Sequence, residues 1–310
     1  MSFARAFAPG TVANLGPGLD ILGLAVEGAG DTVRVERGAG PGIVIRDSGH
    51  PGIPREAERN TAGIAAARVL EQTGETSAGL VIDVVKGLPL SGGQGGSAAS
   101  AAAASVAVNA LLGSPLPKAD LLGACLAAEE AVAGRHADNV AAALFGGVIL
   151  VRSLDPLDVV ALPYPDDLLV VLVAPEQRLR TEDARAALPA TVERGVALAQ
   201  AAQVGAIVAA LASGNFSLLS RSVVDRIAEP ARAPLLPGFT QAKAAALEAG
   251  ALGCSISGSG PAAFAFARGK DSASRIGEAM ITAYESRGVA ARARACRIDA
   301  RGARVLEQQP

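Results

Sequence analysis

The sequence predicts an α+β protein of two domains, each built from two layers of helices and strands. Its 310 residues suffice for two domains of roughly 150 residues each, and 50% of them are hydrophobic, which is enough for a sizeable buried core. Strand-like and helix-like segments alternate without a long regular βαβ repeat. The stretch RSLDPLDVVALPYPDD (152–167) is rich in proline and aspartate, so we expect one domain at 1–155 and a second at 156–310.

The first domain is predicted from short alternating or β-branched runs and from helix-capping signals. The segment 60–74 is expected to be a helix because Asn60 and Thr61 form a capping signal and Gly74 provides an end. A glycine-rich stretch then leads into a strongly alanine-rich helix within 89–112. The predicted strands are 2–8, 31–37, 42–48, 78–86 and 146–152, and the remaining predicted helix is 116–134.

The second domain is predicted to begin with the apolar run LLVVLVA (168–174), a core strand. Helices and strands then alternate to the end of the chain. The predicted helices are 181–187, 191–212, 239–249 and 271–287, and the predicted strands are 252–257, 262–267 and 289–298.

Composition argues against several classes of partner. The formal net charge is −2 with no basic block, and aromatic residues make up 3% with no tryptophan, so we expect no nucleic-acid partner. The three cysteines are far apart and lack metal-ligand spacing, which fits a reducing cytoplasm. MSFARAFAPG lacks the apolar core of a signal peptide, and apolar runs such as LLVVLVAP fall far below the ~20 residues of a membrane span. We therefore expect a cytoplasmic protein with no membrane partner.

The stretch PLSGGQGGSAAS (89–100) places glycines directly before a helix. A helix N-terminus presents free N–H groups and a positive dipole end, and glycines let the main chain approach a phosphate. A structural turn is the alternative. The loop is not a Walker A motif, because it lacks Gly-Lys-Ser/Thr. Gly-x-Gly-x-x-Ala occurs at 93–98 and at 258–263, which leaves a dinucleotide site open, although the context of neither match fits a dinucleotide-binding fold.

Two further glycine-containing loops favour one shared site. APGTVANLGPGLDILGLAV (8–26) surrounds a Gly-Pro-Gly turn with the polar residues Asn14 and Asp20, and LGCSISGSGPAAFAF (252–266) is a glycine-serine turn between apolar strands. Each alone is typical of a plain turn. Three such loops in one enzyme-sized chain indicate a common site.

With these loops in order, the chain resembles the GHMP small-molecule kinases. GRHADNVAAALFGGVILVRS (134–153), RTEDARAALP (180–189) and DRIAEPARAPLLPGF (225–239) resemble specifically the homoserine kinases, and the similarity extends from about residue 8 to 267. The middle motif of the superfamily usually reads Gly-Leu-Gly-Ser-Ser-Ala; here Gln94 stands for leucine and Gly96 for the first serine.

The resemblance implies an N-terminal domain like domain 2 of ribosomal protein S5, with a left-handed βαβ unit and an ATP site. It implies a ferredoxin-like C-terminal domain that completes the substrate site. The implied reaction is ATP- and Mg²⁺-dependent phosphorylation of the L-homoserine hydroxyl to O-phospho-L-homoserine in threonine biosynthesis, and family habit suggests a homodimer. The implied nucleotide-binding residues are Asn60, Pro89, Leu90, Ser91, Gly92, Gly93, Gln94, Gly95, Gly96, Ser97, Ala98, Ser257, Gly258 and Gly260.

Homoserine is a zwitterion with a terminal hydroxyl, so its pocket requires a cation for the carboxylate and an anion for the ammonium. Arg185 and Arg232 are the candidate carboxylate ligands, because arginine suits planar bidentate recognition. Asp20 is the candidate ammonium ligand, with Asn14 beside it and Thr181 as a further polar contact. Turn or helix capping is the alternative role for Asn14, Asp20 and Thr181, as it is for Asn60.

Asp138 and Asn139 are expected at the acceptor hydroxyl. We expect Asn139 to align it and Asp138 to polarise it, because phosphoryl transfer depends mainly on positioning and charge neutralisation. Proton abstraction by Asp138 is the alternative. Magnesium takes hard oxygen ligands, for which we expect Ser97 and Glu129, with Glu130 as the rival.

His136 ends a polar turn, and we expect it to be structural. Three alternatives to the homoserine assignment remain open at this point: another GHMP kinase with a different alcohol, a non-catalytic nucleotide sensor on the same scaffold, and an NAD(P)-binding oxidoreductase.

Overall fold

The computed structural model describes residues 2–309, which form two β-sheets with helices packed on them. The strands are β1 (Phe3–Ala13), β2 (Leu22–Arg37), β3 (Gly42–Asp47), β4 (Gly79–Val85), β5 (Val148–Leu154), β6 (Leu157–Leu162), β7 (Leu168–Pro175), β8 (Cys254–Ile256), β9 (Ala263–Arg268), β10 (Ala291–Cys296) and β11 (Arg304–Gln309). The α-helices are α1 (Thr61–Thr73), α2 (Gly96–Leu111), α3 (Leu122–Val132), α4 (Asp138–Phe145), α5 (Thr181–Ala186), α6 (Arg194–Ser213), α7 (Phe216–Leu219), α8 (Ala228–Arg232), α9 (Phe239–Glu248) and α10 (Lys270–Glu285).

The first sheet has seven strands in the order β11-β1-β2-β4-β3, with β5 pairing β2 and β6 pairing β5. Among the described residues only β3 and β4 pair in parallel, and α1 connects them. Helix α2 contacts β1, β2, α1, α3 and α4. Eight of its thirteen buried residues are alanine, and these small side chains let it pack closely in the core of this half of the chain.

The second sheet has four antiparallel strands in the order β10-β7-β9-β8. Numbered within this half, the order is 4-1-3-2, and helices precede the second and fourth strands. This arrangement is the predicted ferredoxin-like sheet. A third cluster of buried side chains joins the two halves, because residues of β1 and β2 such as Val12 and Leu24 pack with Phe264 and Phe266 of β9.

The sheets do not divide the chain at the predicted boundary between 155 and 156. That boundary falls in the turn between β5 and β6, which pair with each other, and β11 returns from the C-terminal end to pair with β1. Proline and aspartate mark a tight turn as readily as a linker, and the predicted boundary lies in such a turn. We propose that the first domain comprises 2–162 together with 304–309.

Capping signals predicted both ends of α1, whereas Thr181 does not cap α5 and other elements were missed. Asn60 Oδ1 accepts the Ala62 and Gly63 N–H groups at 3.0 and 3.4 Å, and Gly74 ends α1 with a φ of 75°. The predicted helix 116–134 is a 3₁₀ turn followed by α3. Helix α4 and strands β6 and β11 were not predicted, and β2 begins at Leu22 rather than at residue 31.

Helix α6 satisfies the length and composition criteria for a membrane-crossing helix, contrary to the expectation that apolar runs are too short. The mean hydropathy of an 18-residue stretch of this helix is 1.7, and 22% of that stretch is buried. One such helix is weak support for a membrane span. Its buried Gln200 donates to Pro17 O at 2.8 Å and so ties the helix to the turn after β1.

Candidate active site

A cavity of about 300 Å³ lies where loops from both sheets meet. Its walls include the turn between β1 and β2, the glycine-rich loop before α2 and the turn between β8 and β9. The beginnings of α1, α4 and α5 and the ends of α3 and α8 complete it. The three loops that the sequence assigned to one site therefore lie around the same space.

The glycine-rich loop delivers the N-terminus of α2 to this cavity. Gly95 caps the helix in the left-handed region with a φ of 67°, and no side chain caps the helix. A Cβ at Gly95 would collide with Thr11 Oγ1, and a Cβ at Gly93, whose φ is 69°, would lie 2.7 Å from Ser257 O. Only glycine fits at both positions, and the first N–H groups of α2 are left for an anion.

Most, but not all, of the residues predicted to bind nucleotide line the cavity. Those that do are Asn60, Pro89, Leu90, Ser91, Gly92, Gly93, Gly95, Gly96, Ser97 and Gly258. Gln94, Ala98, Ser257 and Gly260 do not. Ser257 supports the loop from behind, since its hydroxyl donates to Gly93 O at 2.6 Å.

Asn60 lines the cavity, but its side chain is already engaged. Its Oδ1 caps α1, and its Nδ2 donates to Pro54 O at 2.7 Å. In the structure Asn60 therefore acts as a helix cap, the alternative role that the sequence left open.

A buried cation beside the loop was not predicted. Lys86 Nζ contacts the Asp31 carboxylate and donates to Gly96 O at 2.9 Å and Ser100 Oγ at 3.0 Å. Asp31 is fully buried and also accepts the Ser100 hydroxyl at 2.7 Å. The cluster fastens the first turn of α2 to β2 and to the end of β4. The sequence signal that could have revealed this cation is a lysine directly after the strand-like run LVIDVV.

Ser97 and Glu129, the predicted magnesium ligands, are adjacent. Ser97 Oγ donates to Glu129 Oε2 at 2.9 Å. Burial raises the pKa of the Glu129 carboxyl, and the positive charge of His136 and the Ser97 hydrogen bond oppose this. The side chain of Glu130 is 49% exposed, lies outside the cavity and pairs with Arg135 at 3.6 Å. Of the two glutamates, Glu129 is therefore the one that faces the site.

His136 lies in the cavity wall between two carboxylates, which the sequence did not indicate. Its Nδ1 is 3.5 Å from Asp138 Oδ1 and 3.8 Å from Glu129 Oε1. Burial favours the neutral ring, but the two carboxylates outweigh burial and raise the pKa of His136 to about 9. His136 therefore lies between two carboxylates that favour its protonated form.

The start of α4 presents the residues predicted to meet the acceptor hydroxyl. Asp138 is buried, and its Oδ1 accepts the Asn139 N–H at 2.9 Å. The hydroxyl of Thr11 donates to Asn139 Oδ1 at 2.6 Å. This bond fixes the orientation of the amide and leaves Asn139 Nδ2 available as a donor.

The predicted zwitterion ligands meet at the other end of the cavity. Arg185 donates to both oxygens of Asp20 at 2.8 and 3.2 Å. Asn14 Oδ1 accepts the Asp20 N–H at 3.1 Å, and Thr181 Oγ1 lies 3.5 Å from Ser259 Oγ. In this structure Asp20 and Arg185 therefore pair with each other.

Arg232 differs from Arg185. It is 3% exposed, its Nε donates to Ala184 O at 3.1 Å, and its Nη1 donates to Gly258 O at 3.0 Å. Burial lowers the pKa of Arg232, and the charge of Arg185 lowers it further. Within residues 2–309, Arg232 forms no ion pair, and its two hydrogen bonds go to main-chain carbonyl oxygens.

The position of Arg232 is set by the cap of α8. Asp225 accepts the Ala228 N–H at 3.0 Å and the Glu229 N–H at 2.8 Å, and Gln200 donates to Asp225 at 2.9 Å. Since Gln200 also binds Pro17, one network positions α8 against the turn that carries Asp20.

Comparisons with known proteins identify the family. The family model described as GHMP kinases N terminal domain matches residues 60–147, and GHMP kinases C terminal matches residues 207–286. The chain is 43% identical over 299 residues to a homoserine kinase of Chlorobium phaeobacteroides (strain BS1), covering 92% of this chain and 93% of that protein. It belongs to the homoserine kinase family of GHMP kinases.

Other family members support the same assignment. A homoserine kinase of Arabidopsis thaliana is 44% identical over 288 residues, which cover 90% of this chain and 78% of that protein. The crystal structure of a homoserine kinase from Cytophaga hutchinsonii ATCC 33406 matches with a TM-score of 0.95 and 41% identity, covering 99% of this chain and 98% of that one. The predicted resemblance and the two-domain GHMP kinase fold are thereby confirmed.

Proposed function

We propose that this chain transfers the γ-phosphoryl group of ATP to the side-chain hydroxyl of L-homoserine, giving O-phospho-L-homoserine. One observation carries the proposal. A single cavity joins a main-chain anion cradle to a buried, unpaired Arg232 and to the carboxylate of Asp20. The cradle suits a triphosphate, and the charged end suits a small amino acid. We infer homoserine as the phosphoryl acceptor from the names of the relatives, which are homoserine kinases.

The nucleotide phosphates would lie against the loop from Gly92 to Ser97. Its glycines permit close approach, and the N-terminus of α2 supplies free N–H groups and a positive dipole end. Lys86 adds charge beside the loop while its three donors hold the loop in place. These groups stabilise charge on phosphate oxygens without having to reorganise.

The residues at the start of α2 and on α3 fit a magnesium ion. Glu129 offers carboxylate oxygens and Ser97 a hydroxyl, both hard ligands facing the cavity. Within residues 2–309, no cluster of three or more His, Cys, Asp or Glu side chains forms a metal site, so phosphates and water would supply the other ligands. A bound Mg²⁺ would neutralise charge on the transferred phosphoryl group.

At the amino-acid end, two charges of opposite sign fit a zwitterion. The substrate carboxylate would pair with Arg232, which has no anionic partner here, and the ammonium would pair with Asp20. Arg185 holds Asp20 in position and adds positive charge near the carboxylate. Asn14 and Thr181 also line the cavity at this end.

The hydroxyl of homoserine would then point toward the start of α4. Asn139 Nδ2 is the donor that would align it, because Thr11 occupies the amide oxygen. Asp138, whose Oδ1 lies 3.5 Å from His136 Nδ1, would polarise the hydroxyl. Positioning is the main requirement, because a loose phosphoryl-transfer transition state places little demand on a base.

A coupled assay of ADP release with homoserine, serine, mevalonate and shikimate tests the proposal. We expect the highest kcat/KM with homoserine, because only an amino acid uses both Arg232 and Asp20, and serine is one methylene shorter. Faster turnover with any of the other acceptors would refute the homoserine assignment. ATP binding without ADP release for every acceptor would instead indicate a nucleotide sensor. Membership of threonine biosynthesis, a cytoplasmic location and a homodimer remain predictions of the resemblance.

A further inference from the structure

The middle of the glycine-rich loop contains one side chain that does not face the cavity. In the run Gly92–Gly96 only Gln94 is not glycine, and it is 5% exposed. Its neighbours Gly93 and Gly95 both have positive φ. Glycines lose more conformational freedom than other residues when they are ordered, so a loop of this composition requires anchoring to be preformed.

Gln94 is anchored on both sheets. The main-chain carbonyl oxygen of Gln94 accepts the Thr11 N–H of β1 at 3.0 Å. Its side-chain Oε1 accepts from Arg294 Nη2 of β10 at 3.2 Å. Arg294 in turn donates through Nη1 to Glu27 O of β2 at 2.8 Å. The guanidinium therefore bridges strand β2 of the first sheet to the phosphate loop, while its own strand belongs to the second sheet.

We propose that Gln94 and Arg294 form a strut that holds the phosphate loop in its nucleotide-binding conformation. The inference rests on the proposed function only in taking this loop as the phosphate site. Gln94 stands where the superfamily motif usually has leucine, and a leucine has no acceptor for Arg294. The strut is thus a positioning device of this chain, and neither residue touches the cavity.

The test measures binding of a non-hydrolysable ATP analogue with Mg²⁺ by calorimetry, without any acceptor alcohol. Gln94→Leu and Arg294→Met are each expected to weaken binding about 10-fold, because each removes a charge-assisted hydrogen bond that preorganises the loop. The double variant should bind no more weakly than the weaker single variant, since both changes break the same contact between Gln94 and Arg294. In the kinetic assay, KM for ATP should rise while KM for homoserine stays within about twofold.

Arg292→Met is the matched control. Arg292 lies two residues before Arg294 on β10, its side chain is 88% exposed, and its nearest acidic partner, Glu176, is 3.8 Å away. We expect binding within about twofold of the unaltered protein. Unchanged binding in Gln94→Leu, even with a lowered melting temperature, would overturn the strut, as would additive losses in the double variant.

The outcomes separate this inference from the proposed function. Weakened nucleotide binding in the two variants supports the strut even where homoserine is not phosphorylated. Normal homoserine phosphorylation with unaffected variants overturns the strut alone. Absence of nucleotide binding by the unaltered protein overturns both.

Discussion

In the proposed function, the two ends of the cavity would recognise charge by different means. The phosphate end consists of main-chain groups, and its conformation depends on Gly93 and Gly95, whose φ values are 69° and 67°. The amino-acid end consists of charged side chains, Asp20, Arg185 and Arg232, brought together from three separate segments. A main-chain cradle fits any triphosphate, whereas placed side chains select one acceptor. Changes at the two ends should therefore produce different kinetic signatures.

The largest effect is expected at the phosphate end, from Gly95→Ala. The new Cβ would collide with Thr11 Oγ1, and alanine is disfavoured in the left-handed region. We expect kcat/KM for ATP to fall about 1000-fold, equivalent to about 4 kcal/mol. Gly205→Ala is the control, because its Cβ would enter open space on α6, and it should leave kinetics unchanged. Near-normal kinetics in Gly95→Ala would contradict the main-chain cradle.

The second prediction concerns the amino-acid end. Arg232→Met should raise KM for homoserine about 100-fold and leave KM for ATP within about twofold, because it removes the buried cation from the carboxylate site. Arg226→Met, on an exposed residue of the same segment, should change neither constant. An unaltered KM for homoserine, or an equal rise in both KM values, would show that Arg232 is not the carboxylate ligand.

The third prediction compares Glu129, which lies between the two ends of the cavity, with its neighbour Glu130. Glu129→Gln should lower kcat about 50-fold, with partial recovery at high magnesium concentration, because it removes a carboxylate facing the phosphate loop. Glu130→Gln should stay within about twofold, since its carboxylate pairs with Arg135 outside the cavity. Equal losses in the two variants, measured as kcat against magnesium concentration, would exclude this assignment.

The smallest effect on catalysis is expected from Asn60→Ala. This change removes the cap of α1 and the bond to Pro54, so urea unfolding should show a loss of about 1–2 kcal/mol. KM for ATP should change less than about threefold. Asn215→Ala, which removes the cap of α7, should also lower stability without altering KM. A large rise in KM with full stability would restore the nucleotide-binding role for Asn60.

Local signals in the sequence predicted local features. The cap at Asn60 and the end at Gly74 were predictable because each depends on a few neighbouring residues. The site loops were predictable because glycine and polar residues interrupt apolar runs at the ends of strands. The choice between Glu129 and Glu130 was not, since adjacent helix positions face directions about 100° apart and the register was uncertain by one residue.

Long-range contacts account for most of what was missed. Lys86 and Asp31 are 55 positions apart, and Gln94 and Arg294 are 200 positions apart, so no local pattern pairs them. Strand β11 pairs with β1 from the opposite end of the chain. His136 was expected to be structural because it ends a polar turn, and the two carboxylates beside it converge only in the folded chain.

The central claim is that one cavity holds a triphosphate at the N-terminus of α2 and homoserine at Arg232. A crystal structure with a non-hydrolysable ATP analogue, Mg²⁺ and homoserine tests it most directly. We predict phosphate oxygens within hydrogen-bonding distance of main-chain N–H groups of Gly92–Ser97, and the homoserine carboxylate on Arg232 with its hydroxyl toward the γ-phosphate. A triphosphate bound elsewhere, with the glycine loop free of ligand, would contradict the account.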